Sequence, residues 1–209
     1  MLFGPFLPEN KDARILDLGC GAGVFLEWLI EECRYTKAVG IDQDAGQVAL
    51  AKQLGLPVAQ VEDPRTWLSK ASRFDVIFMK DVLEHIPAGR DISLLKSVRK
   101  SLEKGGSLVL TVPNANSAFA SRMRYIDSTH HRAYTEYSLR FDLSRAGFSD
   151  ISVQGDDVWR PRSVKGAVRL IGKGLFRASR RLSAITEFGR DGAIMPLSQN
   201  LLAHCMRRS

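Results

Sequence analysis

Apolar residues recur along this chain in short runs closed by glycine or acidic residues, and between the runs they fall at helical spacing. Arg14-Ile15-Leu16-Asp17-Leu18 is such a run; a glycine-rich turn follows it, and residues 24–30 then carry apolar side chains three and four apart, which predicts strand, turn and helix. A second unit reads the same way, with Ala38-Val39-Gly40-Ile41-Asp42 leading into 45–54, where Val48, Leu50 and Ala51 share a helical stripe. This alternation predicts a parallel sheet with right-handed crossovers. Residues 57–61 read as a third, short strand, and 74–79 as a fourth, apolar enough to be buried on both faces. A helix is predicted over 91–104, stopped by Gly105-Gly106 and followed by a strand over 107–112 that Pro113-Asn114 ends. A helix over 137–146, a sixth strand over 150–154 and a last strand over 201–206 complete the pattern.

Composition changes this picture little. At 209 residues, 44% hydrophobic and 25% charged, the chain is an ordinary globular one. No linker divides it, so one domain over 1–209 is predicted. Its apolar runs fall far short of the roughly 18 to 20 residues that span a bilayer, and its start lacks a basic-then-apolar leader. A cytoplasmic protein is the expectation. Cys20, Cys33 and Cys205 are odd in number and show no Cys/His spacing, which points to neither a disulfide framework nor a metal site. Charge, by contrast, is informative. The net +7 is concentrated late: from Arg160 onward eleven Lys/Arg face two Asp/Glu, while the chain before it is slightly acidic.

Asp17-Leu18-Gly19-Cys20-Gly21-Ala22-Gly23 lies between a predicted strand and a predicted helix. Glycines there let the backbone approach a ligand closely. The spacing is GxGxG, with Val24 where a dinucleotide turn would carry a third glycine, and the acidic Asp17 would repel a pyrophosphate but attract the cationic amino group of an amino-acid moiety. Asp42, at the end of the second strand, is placed to bind the two hydroxyls of a ribose. Cys20 reads as a small residue filling the turn.

Together with Phe74-Asp75-Val76-Ile77, Asp81-Val82-Leu83-Glu84-His85-Ile86 and 102–113, these segments resemble the class I S-adenosylmethionine-dependent methyltransferases that act on small molecules, over residues 12–154. The resemblance implies a doubly wound, seven-stranded Rossmann-like α/β sheet, mostly parallel with an antiparallel last strand. It implies S-adenosyl-L-methionine as cofactor, with Asp17, Gly19, Cys20, Gly21 and Gly23 at the methionine part and Asp42 and Gln43 at the ribose. Glu62 or Asp63 would face the adenine amino group, and Met79 and Lys80 would line the pocket.

Methyl transfer needs an aligned nucleophile, and a base only where the acceptor is a weakly acidic hydroxyl. Histidine suits that task near neutral pH. His130 is the first candidate base and His85 the second, both following strands that end at the ligand edge. His131, Arg132, Tyr134 and Asn114 are candidates for orienting a polar acceptor. The (Asn/Asp)-Pro-Pro-(Tyr/Phe) signature of many amino-group methylators of nucleic acid bases and proteins is absent; Lys80-Asp81-Val82-Leu83 stands in its place.

Between the last two predicted strands, where family members make a short hairpin, residues 158–196 form a basic insertion predicted to emerge beside the acceptor pocket and to cover or extend it. Val164, Val168, Ile171, Leu175, Leu182 and Ile185 fall largely at helical spacing among Lys165, Arg169, Lys173, Arg177, Arg180 and Arg181, although Gly166, Gly172 and Gly174 weaken an isolated helix. Such a helix over 160–190 suits an anionic membrane surface or a phosphorylated glycan. The predicted activity is methyl transfer to a small-molecule acceptor, a hydroxyl of a sugar or lipid-linked metabolite. RNA methylation is the runner-up among enzymes: the basic insertion permits it, although no base-stacking aromatic pattern accompanies the charge. A non-catalytic S-adenosylmethionine-binding protein is the alternative from a different class.

Overall fold

In the computed structural model, residues 2–156 and 164–208 are described, with the backbone alone for 164–170. Seven strands form one sheet: β1 Arg14–Leu18, β2 Lys37–Asp42, β3 Val58–Gln60, β4 Phe74–Lys80, β5 Leu102–Pro113, β6 Ser149–Gly155 and β7 Asn200–Met206. Their order is β3-β2-β1-β4-β5-β7-β6. β1 to β5 pair in parallel, and β7 runs antiparallel between β5 and β6. The α/β class and the antiparallel last strand therefore match expectation.

Helices cover both faces, because alternate residues of the buried strands need apolar partners on each side. On one face Leu16, Leu18, Ile77, Met79, Leu108, Leu110 and Val112 pack with Leu68 of α3 (Pro64–Lys70), Leu94, Leu95 and Val98 of α4 (Asp91–Ser101), and Leu139 and Leu143 of α6 (Glu136–Arg145). On the other, Ile15, Val76, Phe78 and Val109 pack with Phe3, with Phe25 and Leu26 of α1 (Val24–Glu27) and with Ala51 of α2 (Ala45–Gln53). The edge-on contacts of Phe3 and Phe25 with Phe78 pin the N-terminal segment and α1 to β4.

Several boundaries differ from the sequence reading. α4 stops at Ser101 rather than at residue 104, and β5 starts at once with Leu102, which pairs with Phe74. The glycines sit inside the strand: Gly105 has φ +79° and donates to the Arg207 carbonyl at 2.8 Å, so the chain bulges there instead of ending a helix. α1 widens into a π turn over Trp28–Glu32. The short α5, Ala120–Tyr125, has no counterpart in the hydrophobic pattern and buries none of its residues.

β6 ends at Gly155, opposite Leu201, so the insertion leaves from the carboxyl edge as expected. Its first residues, 158–163, lie outside the described ones. Beyond them α7 (Val164–Phe188) runs unbroken through Gly172 and Gly174, and α8 (Arg190–Ile194) packs back on it, with the Arg181 guanidinium donating to the carbonyls of Gly192 and Met195. No helix among the described residues is long and apolar enough to cross a membrane.

Candidate active site

The strand order reverses between β1 and β4, and a cleft opens at that switch point, outside the carboxyl ends of the strands. It has a volume of about 630 Å³, and Gly19, Asp42, Gln43, Glu62, Asp63, Asp81, His85 and Thr129 are among the residues that line it.

Its floor is the glycine turn after β1. The N–H groups of Gly19 and Cys20 both donate to the Ile41 carbonyl, at 2.8 and 3.1 Å, which ties the turn to the end of β2. The Gly21 N–H then donates to Asp42 Oδ2 at 2.8 Å, while Asp42 Oδ1 takes the Asp44 N–H at 2.9 Å. Asp42 is thereby fixed in orientation, and each of its oxygens keeps a lone pair for a ligand. Gly19 needs its hydrogen for two reasons: φ is +79°, and a Cβ would run into Val82 Cγ2. Cys20 packs on Gly40, where an added Cβ would lie 2.8 Å from the sulfur. Burial, reinforced by Asp17 and Asp42, pushes its thiol up to about 12, so it fills space and does not act as a nucleophile.

Asp17 lies behind this floor and is not among the residues that line the cleft. It is 1% exposed, and neither of its carboxylate oxygens has a hydrogen-bond partner. Burial raises its pKa to about 7; Lys80 opposes the shift and Asp42 reinforces it. Lys80 itself stands 4.7 Å over the Phe25 ring. A buried carboxylate without donors is costly unless a cation meets it. The turn, Asp17 and Asp42 therefore fit a ligand carrying an ammonium group and a vicinal diol.

On the far wall the two acidic candidates separate. Asp63 caps α3, accepting from the Arg65 N–H at 3.0 Å, and pairs with the Arg65 guanidinium at 3.0 Å, which holds its carboxyl below the usual range. Glu62 is exposed at the cleft. Met79, expected to line the pocket, is fully buried in the core instead, because the strand alternation turns it away from the Lys80 side.

At the other end a histidine pair stands on the short turn Leu83–His85 and the loop before α6. His85 lines the cleft, whereas His130, the first-choice base, is 8% exposed and is not among the cleft-lining residues. Their rings meet edge to face at 4.6 Å. His85 Nδ1 is 2.7 Å from Thr129 Oγ1, and His130 Nδ1 is 2.8 Å from the Met123 carbonyl. Burial and the neighbouring His130 lower the pKa of His85 against the opposing pull of Asp127. Beside them Glu84 is fully buried with both oxygens unpartnered, and burial raises its pKa to about 8. Sequence reasoning missed Glu84: in a run of mixed residues nothing marks which side chain turns inward.

The acceptor-orienting candidates lie in varied surroundings, three of them engaged by other protein groups. Asn114 is fully buried, with Nδ2 donating to the Pro196 and Ser198 carbonyls at 3.0 and 2.9 Å and Oδ1 accepting from the Asn116 N–H at 2.9 Å. Arg132 bridges the buried carboxylates of Asp91 and Asp142. Its guanidinium lies 4.3 Å over the Tyr134 ring, and Tyr134 is itself buried in the core. His131 is exposed, and its N–H donates to the Glu84 carbonyl at 2.7 Å, which fastens this loop to the turn Leu83–His85 that follows β4. No described residue of the insertion lines the cleft, contrary to expectation; α7 meets the body where Phe176 stacks on Phe119 at 6.1 Å.

Comparison with known proteins adds to this geometry. The family described as a methyltransferase domain matches residues 2–153. A trans-aconitate 2-methyltransferase from Azoarcus sp. is 33% identical over 111 residues, which cover 51% of this chain and 42% of that protein. A ubiquinone biosynthesis O-methyltransferase from Coxiella burnetii is 29% identical over 51% of this chain and 46% of its own length. The matches thus span less than half the length of these curated relatives. Among solved structures, a SAM-dependent methyltransferase from Archaeoglobus fulgidus superposes with a TM-score of 0.70 at 21% identity, covering 98% of this chain and 90% of that one. A Haemonchus contortus phosphoethanolamine N-methyltransferase 2 in complex with S-adenosyl-L-methionine gives 0.62 at 15% identity, over 100% of this chain and 51% of that one. At such identities the likeness concerns the fold.

Proposed function

The chain belongs to the methyltransferase domain family, and from that premise we propose that it transfers the methyl group of S-adenosyl-L-methionine to an oxygen of a small polar acceptor, a hydroxyl of a sugar or lipid-linked metabolite. The unpartnered Asp17 carboxylate behind the glycine turn carries the reading. It would hold the ammonium of the methionine part, Gly19, Gly21 and Gly23 would let that part lie against the backbone, and Asp42 with Gln43 would take the ribose hydroxyls. Glu62 is left for the adenine amino group, since Asp63 is engaged by Arg65. The sulfonium of the cofactor supplies an already activated methyl group, so the chain's own task is to align the acceptor and exclude water.

The acceptor would enter at the His85 and Thr129 end of the cleft. His85, not His130, is the imidazole that would face it. The name of one relative, an O-methyltransferase, supports an oxygen acceptor. Calorimetric titration with S-adenosylmethionine and with a nicotinamide dinucleotide tests the cofactor, and binding of the dinucleotide alone would overturn the reading. A labelled methyl donor incubated with sugar nucleotides, lipid-linked glycans, hydroxylated aromatic acids and tricarboxylic acids then tests the acceptor.

α7 suggests a second contact. Ile171, Leu175, Leu182 and Ile185 are exposed along one stripe, flanked by basic residues. An anionic lipid surface would satisfy both features, and it would bring a lipid-linked acceptor to the enzyme.

A further inference from the structure

Glu84, His85 and His130 each offer a ligand-type atom, and the three atoms lie within 4.8 Å of one another. Nothing in the proposed cofactor site uses Glu84 or His130. Three observations specify what this cluster can hold.

The first is the state of the two rings. The Met123 carbonyl can only accept, so His130 Nδ1 carries the proton of that 2.8 Å bond and the lone pair of the ring is on Nε2. Thr129 Oγ1 donates its own hydrogen to Asp127 Oδ1 at 2.7 Å, so it must accept from His85 Nδ1. The lone pair of His85 is therefore also on Nε2. In both rings Nδ1–H is committed to an outer hydrogen bond, one to a carbonyl and one through a hydroxyl to a carboxylate, so Nε2 is the nitrogen that can offer a lone pair, and this is the support that metal-bound imidazoles usually have.

The second is Glu84. Its side chain is fully buried and neither carboxylate oxygen has a hydrogen-bond partner. Such a group either keeps its proton or meets a positive partner. The third is the composition of the set. Two imidazoles and one carboxylate, all nitrogen and oxygen, match a zinc-type site with three protein ligands and an open position. Two nitrogen donors argue against magnesium or calcium, which prefer oxygen throughout. Ligand atoms of a tetrahedral ion at about 2.1 Å lie roughly 3.4 Å apart, so side-chain rotations that shorten the separations by up to about 1.4 Å would close the set on an ion.

We propose that Glu84, His85 and His130 bind one divalent transition-metal ion of the zinc type beside the acceptor end of the cleft, which His85 lines. Its open position would be available to an acceptor oxygen, whose proton the ion would make easier to remove. Only this role rests on the reading of the cleft as a methyl-transfer site; the binding of the ion does not.

The test is metal binding by the full chain after chelation and desalting. Titration with zinc against a chromophoric chelator should give one equivalent per chain, and cobalt in its place should give the visible bands of a low-symmetry, four- or five-coordinate ion. Glu84→Gln and His130→Gln should each weaken zinc at least tenfold. Thr129→Val leaves all three ligands in place but frees the His85 tautomer, and should weaken zinc several-fold; it decides the matter if a ligand variant does not fold. His131→Ala, in the exposed neighbour, should change nothing. No uptake of zinc by the folded chain, or equal uptake by Glu84→Gln and Thr129→Val, would show that Glu84 is simply a protonated acid and overturn the proposal. S-adenosylmethionine affinity, measured on the same samples, separates the two readings: zinc bound without the cofactor overturns the methyl-transfer reading, and the cofactor bound without zinc overturns this one.

Discussion

Asp17 makes opposite demands on the free and the liganded protein, and pH separates them. Its pKa is near 4 unfolded and about 7 folded. Below about pH 4 both states hold the proton; between about 4 and about 7 the folded state alone does, so stability is lost as pH rises through that window and is lowest above it. Three units correspond to at most about 4 kcal/mol. Asp17→Asn should therefore raise the thermal midpoint of the free protein at pH 8 and leave it nearly unchanged at pH 4. A cationic ligand favours the ionised form, so S-adenosylmethionine should bind the wild type more tightly at pH 8 than at pH 6, and the variant should lose at least tenfold in affinity; both are read by calorimetry. Arg132, predicted to orient a substrate, is engaged by two carboxylates of the protein, and that pairing can be tested. Arg132→Met strands the buried carboxylates of Asp91 and Asp142 and, with Arg132 one-third exposed, should cost about 2–3 kcal/mol in urea unfolding while leaving cofactor affinity unchanged. At this scale the sequence marks residues whose chemistry depends on local spacing, such as Asp17, Gly19 and Asp42. It does not show how Asn114, Arg132 and Tyr134 are engaged, since their partners Ser198, Asp91 and Leu83 lie far along the chain.

Among the elements, the glycine turn and α7 differ in how they earn their shape. The turn is held by bonds to β2 and by the space around Gly19; Gly19→Ala meets both a positive φ and Val82, and should destabilise the fold by about 1–3 kcal/mol and abolish cofactor binding. α7 leaves an apolar stripe in solvent. If that stripe meets lipid, Leu175→Asp with Leu182→Asp should abolish sedimentation with anionic vesicles and leave the thermal midpoint within a degree or two; equal sedimentation of the double variant would remove the membrane from the account. The sequence located both elements by periodicity. The end of α4 escaped it because Gly105-Gly106, a helix stop by local chemistry, is used as a bulge paired to Arg207, a contact that exists only once the last strand is in place.

At the scale of the whole molecule, the insertion is an appendage to a sheet whose hydrogen bonds close without it. Replacing residues 164–194 by a short flexible linker should preserve the far-ultraviolet spectrum and keep S-adenosylmethionine affinity within about twofold, because no described residue of α7 or α8 lines the cleft. A collapse of affinity would mean that the insertion completes the site. The sequence by itself determined the alternation of elements, the class of the sheet and the half of the cleft built around one βα turn, because those features follow from side-chain period and from residues a few positions apart. The tertiary structure decided the other half. Which histidine faces the cleft, that Glu84 turns inward beside His130, and that Arg132 and Asn114 are consumed by packing all depend on which distant segments meet at the carboxyl edge, and no local pattern records those meetings.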